Sequence, residues 1–171
     1  MFFLVKICYA LLIMAYHLKN KPEKWIYPAR ILCMDHGTRT LGLAICNSNQ
    51  TLVTPMETIH RTKWDKDKQT LDKIIIENDI ECVLVGYPLN MDGSKGARCQ
   101  SVKDFVMLME ETWSSLPFFF YDERLSTDGV DNILDNDRTK TRAKRKEFKD
   151  AMAAQIILEE ALDWLRLNTE Y

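Results

Sequence analysis

No two of the five cysteines are spaced C-x-x-C, and no two of the three histidines are spaced H-x-x-x-H. Cys8, Cys33, Cys46, Cys82 and Cys99 are odd in number, and those in apolar runs read as small buried hydrophobes. A zinc site and a disulfide framework are therefore not expected, and a reducing cytosol is the natural compartment. An excess of one charge is also missing. With 23 Lys and Arg against 25 Asp and Glu, the net charge is -2 and nothing global advertises a polyanion partner. An acidic site and a basic patch can cancel in that sum. Repeats and low-complexity tracts are absent. What remains is 46% apolar and 28% charged over 171 residues, an ordinary globular composition with room for one core rather than two.

A bilayer-spanning run is lacking too. Residues 1–16, MFFLVKICYALLIMAY, are apolar except for Lys6 but fall short of the roughly 20 residues needed to cross a membrane. They carry neither the basic n-region nor the small-x-small site of a signal peptide. An extra helix packed on the domain, a membrane-touching segment, and sequence upstream of a start at Met14 are the three readings. Stable membrane insertion is not expected. Residues 1–29 are set apart as an extension of unknown role, and 30–167 as one domain.

From Arg30 onward the pattern is regular. Residues 31–34 form a short apolar run ending at Asp35, before the turn-like His36-Gly37-Thr38-Arg39. A second strand is expected over 41–46 and a third over 52–59, where Pro55 demands a sheet edge. Short turns between them imply an antiparallel meander. The period then becomes helical over about 65–79, followed by the near-continuous apolar strand 81–86. Val102, Phe105, Val106, Met109 and Trp113 mark a second helix, and 117–121 a fifth strand. A short helix over about 125–134, a basic loop, and a last helix from about 147 to 167 complete the chain. The order β-β-β-α-β-α-β-α-α gives an α/β fold: a mixed five-stranded sheet with helices on its faces.

Three carboxylates end three of these elements. Asp35 closes the first strand, and Gly37 beside it permits close backbone approach to a ligand while Thr38 and Arg39 add a hydroxyl and a cation. Asp before Gly is also a common turn former. Glu123 lies just past the fifth strand in Y-D-E-R-L-S-T, where a solvated turn with Asp122 and Arg124 is the plain alternative. Asp150 sits on the edge of the stripe Ala151, Ala154, Leu158, Ala161 and Leu165. A charge there costs stability unless it is paired or binds metal. Near a helix N-terminus it would instead gain about 0.3–1 kcal/mol from the dipole. Together, Asp35, Glu123 and Asp150 suit one or two hard cations, Mg2+ or Mn2+, which would activate water against a phosphodiester.

The segments D-H-G-T-R-T-L-G at 35–42, V-G-Y-P-L-N-M-D-G-S-K-G-A-R at 85–98, D-E-R-L-S-T at 122–127 and D-A-M-A-A-Q-I-I-L at 150–158 resemble the YqgF family. Its members are described as Holliday junction resolvases and as pre-16S rRNA nucleases of the ribonuclease H-like superfamily. The resemblance spans about 30–166 and implies that fold, a divalent metal, and acidic site positions at Asp35, Glu123 and Asp150. Ala97 departs from a common Pro, and the first thirty residues have no counterpart.

Between Arg138 and Lys149 the chain carries seven basic residues and one acid, directly before Asp150. This run is expected to be a loop, mobile without nucleic acid, whose Arg142, Lys144, Arg145 and Lys146 meet phosphates without reading sequence. Arg124 is a further candidate. In the 85–98 loop, Asn90, Ser94, Lys95 and Arg98 are phosphate-reaching types, and Tyr87 could stack on a base. The expected partner is structured RNA or, second, branched DNA. A monomer or weak homodimer is expected, although junction cutting normally uses a symmetric dimer. Two rival readings are weaker: a non-catalytic nucleic-acid-binding factor, which gains nothing from carboxylates beside phosphates, and a D-x-G-T sugar-kinase phosphate loop, which needs two domains.

Overall fold

The structure is a computed structural model describing residues 16–17, 28–123 and 142–168, with the side chains of 28–123 and 148–167. Its strands are β1 (Tyr16–His17), β2 (Ile31–His36), β3 (Thr40–Cys46), β4 (Val53–Pro55), β5 (Ile59–His60), β6 (Cys82–Tyr87) and β7 (Phe118–Asp122). The described helices are α1 (Trp64–Glu77), α2 (Ala97–Thr112) and α3 (Arg142–Asn168). One mixed sheet runs β1-β7-β6-β2-β3-β4, with β5 pairing β3 beside β4. β2 is antiparallel to β3 and parallel to β6, and β6 is parallel to β7. This is the ribonuclease H-like arrangement the resemblance implies.

Two differences concern the strands. The single third strand expected over 52–59 is two short ones, because Pro55 ends β4 and Met56 N–H bonds Leu43 O before the chain returns at β5. Pro55 does lie on the sheet edge, where its missing donor costs no ladder bond. The second is that Tyr16–His17, in the N-terminal extension, pairs in parallel with Phe119 and Phe120.

Strand alternation sorts the side chains onto two faces. Leu32 and Met34 of β2, Val83, Val85 and Tyr87 of β6, and Phe118 and Phe120 of β7 pack with α1 and α2. Ile31 and Cys33, Cys82 and Leu84, and Phe119 and Tyr121 face α3, against Ala154, Ile157, Leu158 and Ala161. The period carries onward to the strand ends. Asp35, Gly86 and Glu123 continue the α3-facing rows, as does Gly42 at the start of β3, while His36 continues the opposite one.

The expected basic loop is corrected over its second half. α3 begins at Arg142, so Arg142, Lys144, Arg145 and Lys146 lie in its first turns, though their side chains are outside the described ones. Arg, Ala, Lys and Glu are strong helix formers, and neither Gly nor Pro interrupts residues 142–168. Arg124, the expected helix over 125–134 and the first half of the basic run lie outside the described residues. Among the described residues, no helix is long and apolar enough to cross a membrane.

Candidate active site: three carboxylates under a close helix

Asp35 is the penultimate residue of β2, paired across the ladder with Gly42 of β3. Above Gly42 the backbone of α3 comes so near that an added Cβ would lie 2.1 Å from Asp150 O and 2.6 Å from its carbonyl carbon. The missing side chain is what lets the helix settle on the sheet at this level and carry Asp150 to Asp35. Ala151 and Ala154, both buried, continue the close contact. Asp150 stands eight residues into a helix starting at Arg142, so the dipole explanation of its position no longer applies.

Glu123 follows β7, and its carboxylate fills the space over Gly86 of β6. A Cβ on Gly86 would lie 2.2 Å from Glu123 Oε1 and 3.0 Å from Ile157 Cδ1. The last β2–β6 pair is Met34 with Val85, so the residues that follow it are Asp35 and Gly86. Cys33, two residues before Asp35 on the same face, is fully buried, and burial with the Asp35 and Glu123 charges pushes its thiol well up. Two strand glycines thus make the room, Gly86 for the Glu123 carboxylate and Gly42 for the α3 backbone at Asp150.

Electrostatically the site is strained. Burial, then the Asp150 charge, raises Asp35 to about 6, against the opposing pull of Arg98. Burial, then the Asp35 charge, raises Glu123 to about 7, again opposed by Arg98. Asp150 Oδ2 is buried and accepts no hydrogen bond. A buried anionic oxygen without a donor is costly, and a bound cation is one of the few things that offsets it. Among the described residues, no three such donors are drawn close enough to enclose a cation in this structure.

The remaining candidates divide. Arg98, exposed in the first turn of α2, acts on both Asp35 and Glu123. Thr38 and Arg39 are exposed in the tight β2–β3 turn, closed by Gly37 N–H to Thr40 O at 3.0 Å. Asn90 and Ser94 are engaged with each other: Asn90 Nδ2 donates to Ser94 Oγ at 2.7 Å, and Asn90 N–H to Ser94 O at 3.0 Å. They close the loop around Gly93 (φ 84°), and exposed Lys95 projects from it. Tyr87 is a correction: it is fully buried, packed on Phe120 at 4.9 Å, because its place in β6 faces α1 and α2.

Two participants were not singled out from sequence. Gly86 could have been noticed as a glycine inside an apolar strand, a known mark of close approach. Arg61, far from any motif, bonds His36 Nε2 at 2.6 Å and Gly37 O at 3.1 Å, bracing the end of β2. Burial, then the Arg61 charge, lowers His36 to about 4, so it is neutral at pH 7.

The same stretch of chain is matched in known proteins. A relative in Rhodospirillum centenum named "Putative pre-16S rRNA nuclease" is 40% identical over 141 residues, 80% of this chain and 74% of that protein. One of the same name in Methylocella silvestris is 42% identical over 137 residues, 80% and 84% of the two chains. Among solved structures, T. thermophilus RuvC in complex with a Holliday junction substrate is 14% identical, with TM-score 0.49 over 82% of this chain and 97% of that one. The family model described as "RuvX: Holliday junction resolvase" matches residues 29–164, from just before β2 to within the last turns of α3. With its carboxylate-bearing elements all inside that match, the chain belongs to the RuvX (YqgF) family.

Proposed function

We propose that this protein is a cytosolic divalent-metal-dependent nuclease that hydrolyses phosphodiester bonds at the ends of pre-16S ribosomal RNA. The observation that carries the reading is the approach to Asp35 of Glu123, over Gly86, and of the α3 turn bearing Asp150, over Gly42, with Asp150 Oδ2 buried and undonated. The names of the relatives in Rhodospirillum centenum and Methylocella silvestris support the RNA substrate.

The donor set fits a hard cation: three carboxylates, no thiolate or imidazole among them, in a site where burial and then mutual repulsion disfavour the ionised forms. Asp35, Glu123 and Asp150 would hold Mg2+ or Mn2+. Such an ion supplies a nucleophilic water at neutral pH and stabilises the leaving oxygen. The chain's own residues do the rest. Exposed Arg98 at the start of α2 would hold the phosphate against the carboxylates by charge-assisted hydrogen bonds. Lys95, Arg39 and the basic first turns of α3 would fix the flanking backbone without reading sequence. Burial of the carboxylates would strengthen their hold on such a cation relative to water.

Cleavage of a labelled RNA carrying ribosomal precursor ends, in manganese, magnesium or chelator, tests the reading. Cutting is expected with metal and none with chelator. A four-way DNA junction run in parallel tests the second reading, which the family's description favours. Failure of folded protein to cut either with metal present would sink the enzyme reading and favour a binding factor.

Gly86→Ala separates the site from the fold. The new Cβ meets the far end of the Glu123 side chain and the terminal methyl of Ile157, both able to rotate away. Stability is expected to change by about 1 kcal/mol or less, while cutting falls about tenfold or more. Unchanged cutting would remove Glu123 from the reaction.

A further inference from the structure

On the opposite side of β2 from Asp35, a groove of about 540 Å³ opens between the end of that strand and the outer face of α2. His36, Arg61 and Phe105 form its floor, and Gln100, Ser101 and Asp104 its rim. The guanidinium of Arg61 lies over the Phe105 ring, 4.9 Å from its centroid. Its Nη1 donates to Gly37 O and to His36 Nε2. Arginine has no acceptor, so Nε2 of His36 must be the lone-pair nitrogen. Stacked below and bonded at one edge, the guanidinium plane is held in place while the residue stays half-exposed.

We propose that this groove is a subsite for one unpaired base of the nucleic-acid strand, stacked on the guanidinium of Arg61. The inference rests on the nuclease reading for its strand and extends it to a neighbouring nucleotide. Guanidinium planes are stacking platforms for splayed bases, and a fixed one loses little entropy on binding. Chain neighbours link the groove to the carboxylate site around the end of β2: His36 follows Asp35, and Ala97 in its wall precedes Arg98. The rim has a mixed character. Gln100 Nε2 donates to Asp104 Oδ1 at 2.7 Å, and the remaining amide, hydroxyl and carboxylate groups offer both donors and acceptors. That suits the edge of a base, whereas a phosphate would be repelled by Asp104. The volume lies within the roughly 300–1,000 Å³ of small-ligand sites, enough for a base with its ribose.

The test is binding, read by fluorescence anisotropy in chelator, of a short single-stranded oligoadenylate RNA carrying one abasic residue at each position in turn. Full-length wild type, Ser101→Leu and Ser101→Ala are compared. Ser101 is exposed on α2, so leucine fills the groove without entering the core or the carboxylate site. In the wild type and in Ser101→Ala, one abasic position is expected to weaken binding about 5- to 100-fold, as stacking on one base implies. In Ser101→Leu the same position should become indifferent. A flat abasic profile in the wild type overturns the proposal, as does a sensitive position that survives in Ser101→Leu or vanishes in Ser101→Ala. Because no cutting is read, a protein that binds in this way but never cleaves would refute the nuclease and leave the subsite standing.

Discussion

Asp35→Asn is expected to lower cutting by about a hundredfold or more while making the metal-free protein more stable at neutral pH. The two effects have one cause. Asp35 is held up to about 6 and Glu123 to about 7, both above their ordinary values, chiefly by burial and then by carboxylate charge. Groups with raised folded-state values bind more protons folded than unfolded. Their contribution is fully favourable below about pH 4 and is lost as pH rises through about 6 and 7. At pH 8 the ionised carboxylates therefore oppose folding. Removing the Asp35 charge relieves its own desolvation and the repulsion felt by Glu123, by about 1–2 kcal/mol, raising Tm by about 2–8 °C.

Thermal unfolding of both proteins at pH 5 and pH 8 checks the sign, since at pH 5 the wild-type carboxyl is already largely protonated and the gap should shrink. Saturating Mn2+ should then stabilise the wild type and leave the variant nearly unmoved, because only the former retains the full donor set. Loss of one ligand exceeds the roughly 10- to 100-fold cost of disturbing a supporting group. A variant that still cuts would remove Asp35 from the chemistry; one that melts lower at pH 8 would show that the electrostatic account is mistaken.

Gly42→Ala is expected to damage both fold and function, in contrast to Gly86→Ala. The added Cβ would meet Asp150 O at 2.1 Å, the carbonyl carbon at 2.6 Å and Ala151 N at 3.4 Å, all backbone atoms of α3. No rotamer change relieves such a contact. β3 is pinned between β2 and β4, so the helix must lift, taking Asp150 from Asp35 and opening the packing of buried Ala151 and Ala154. Overpacking of this kind costs about 1–3 kcal/mol, and more where backbone has to move. Urea unfolding should show that loss, and metal-dependent cutting should fall below measurement. Wild-type stability with full activity would mean that α3 does not seat on Gly42 as described.

Much of this site was legible in the sequence because its geometry is periodic. The two-residue repeat of β2 puts Asp35 on the face of Ile31 and Cys33, and the stripe of α3 puts Asp150 beside Ala154. Pro55 on the sheet edge, the buried free cysteines Cys33, Cys46, Cys82 and Cys99, and the alternation of apolar runs with helical ones likewise follow from local chemistry. Such preferences act over a few residues and leave a readable signature.

Other features are decided by contacts between distant parts of the chain, whose partners no local signature names. Gly42 meets Asp150, and Gly86 meets Glu123, only once β3, β6, β7 and α3 are assembled. The start of α3 at Arg142 differs from the loop expected there because a run of basic residues is equally compatible with a solvated helix; packing of its later turns on the sheet decides between them. Tyr87 could serve a ligand or the core, and the face of β6 on which it falls selects the core. Arg61 owes its role to the fold alone. Composition and pattern determined which residues could carry the chemistry, and the tertiary structure decided which of them share a charged pocket, because burial and electrostatic coupling exist only after the sheet and its helices have closed around them.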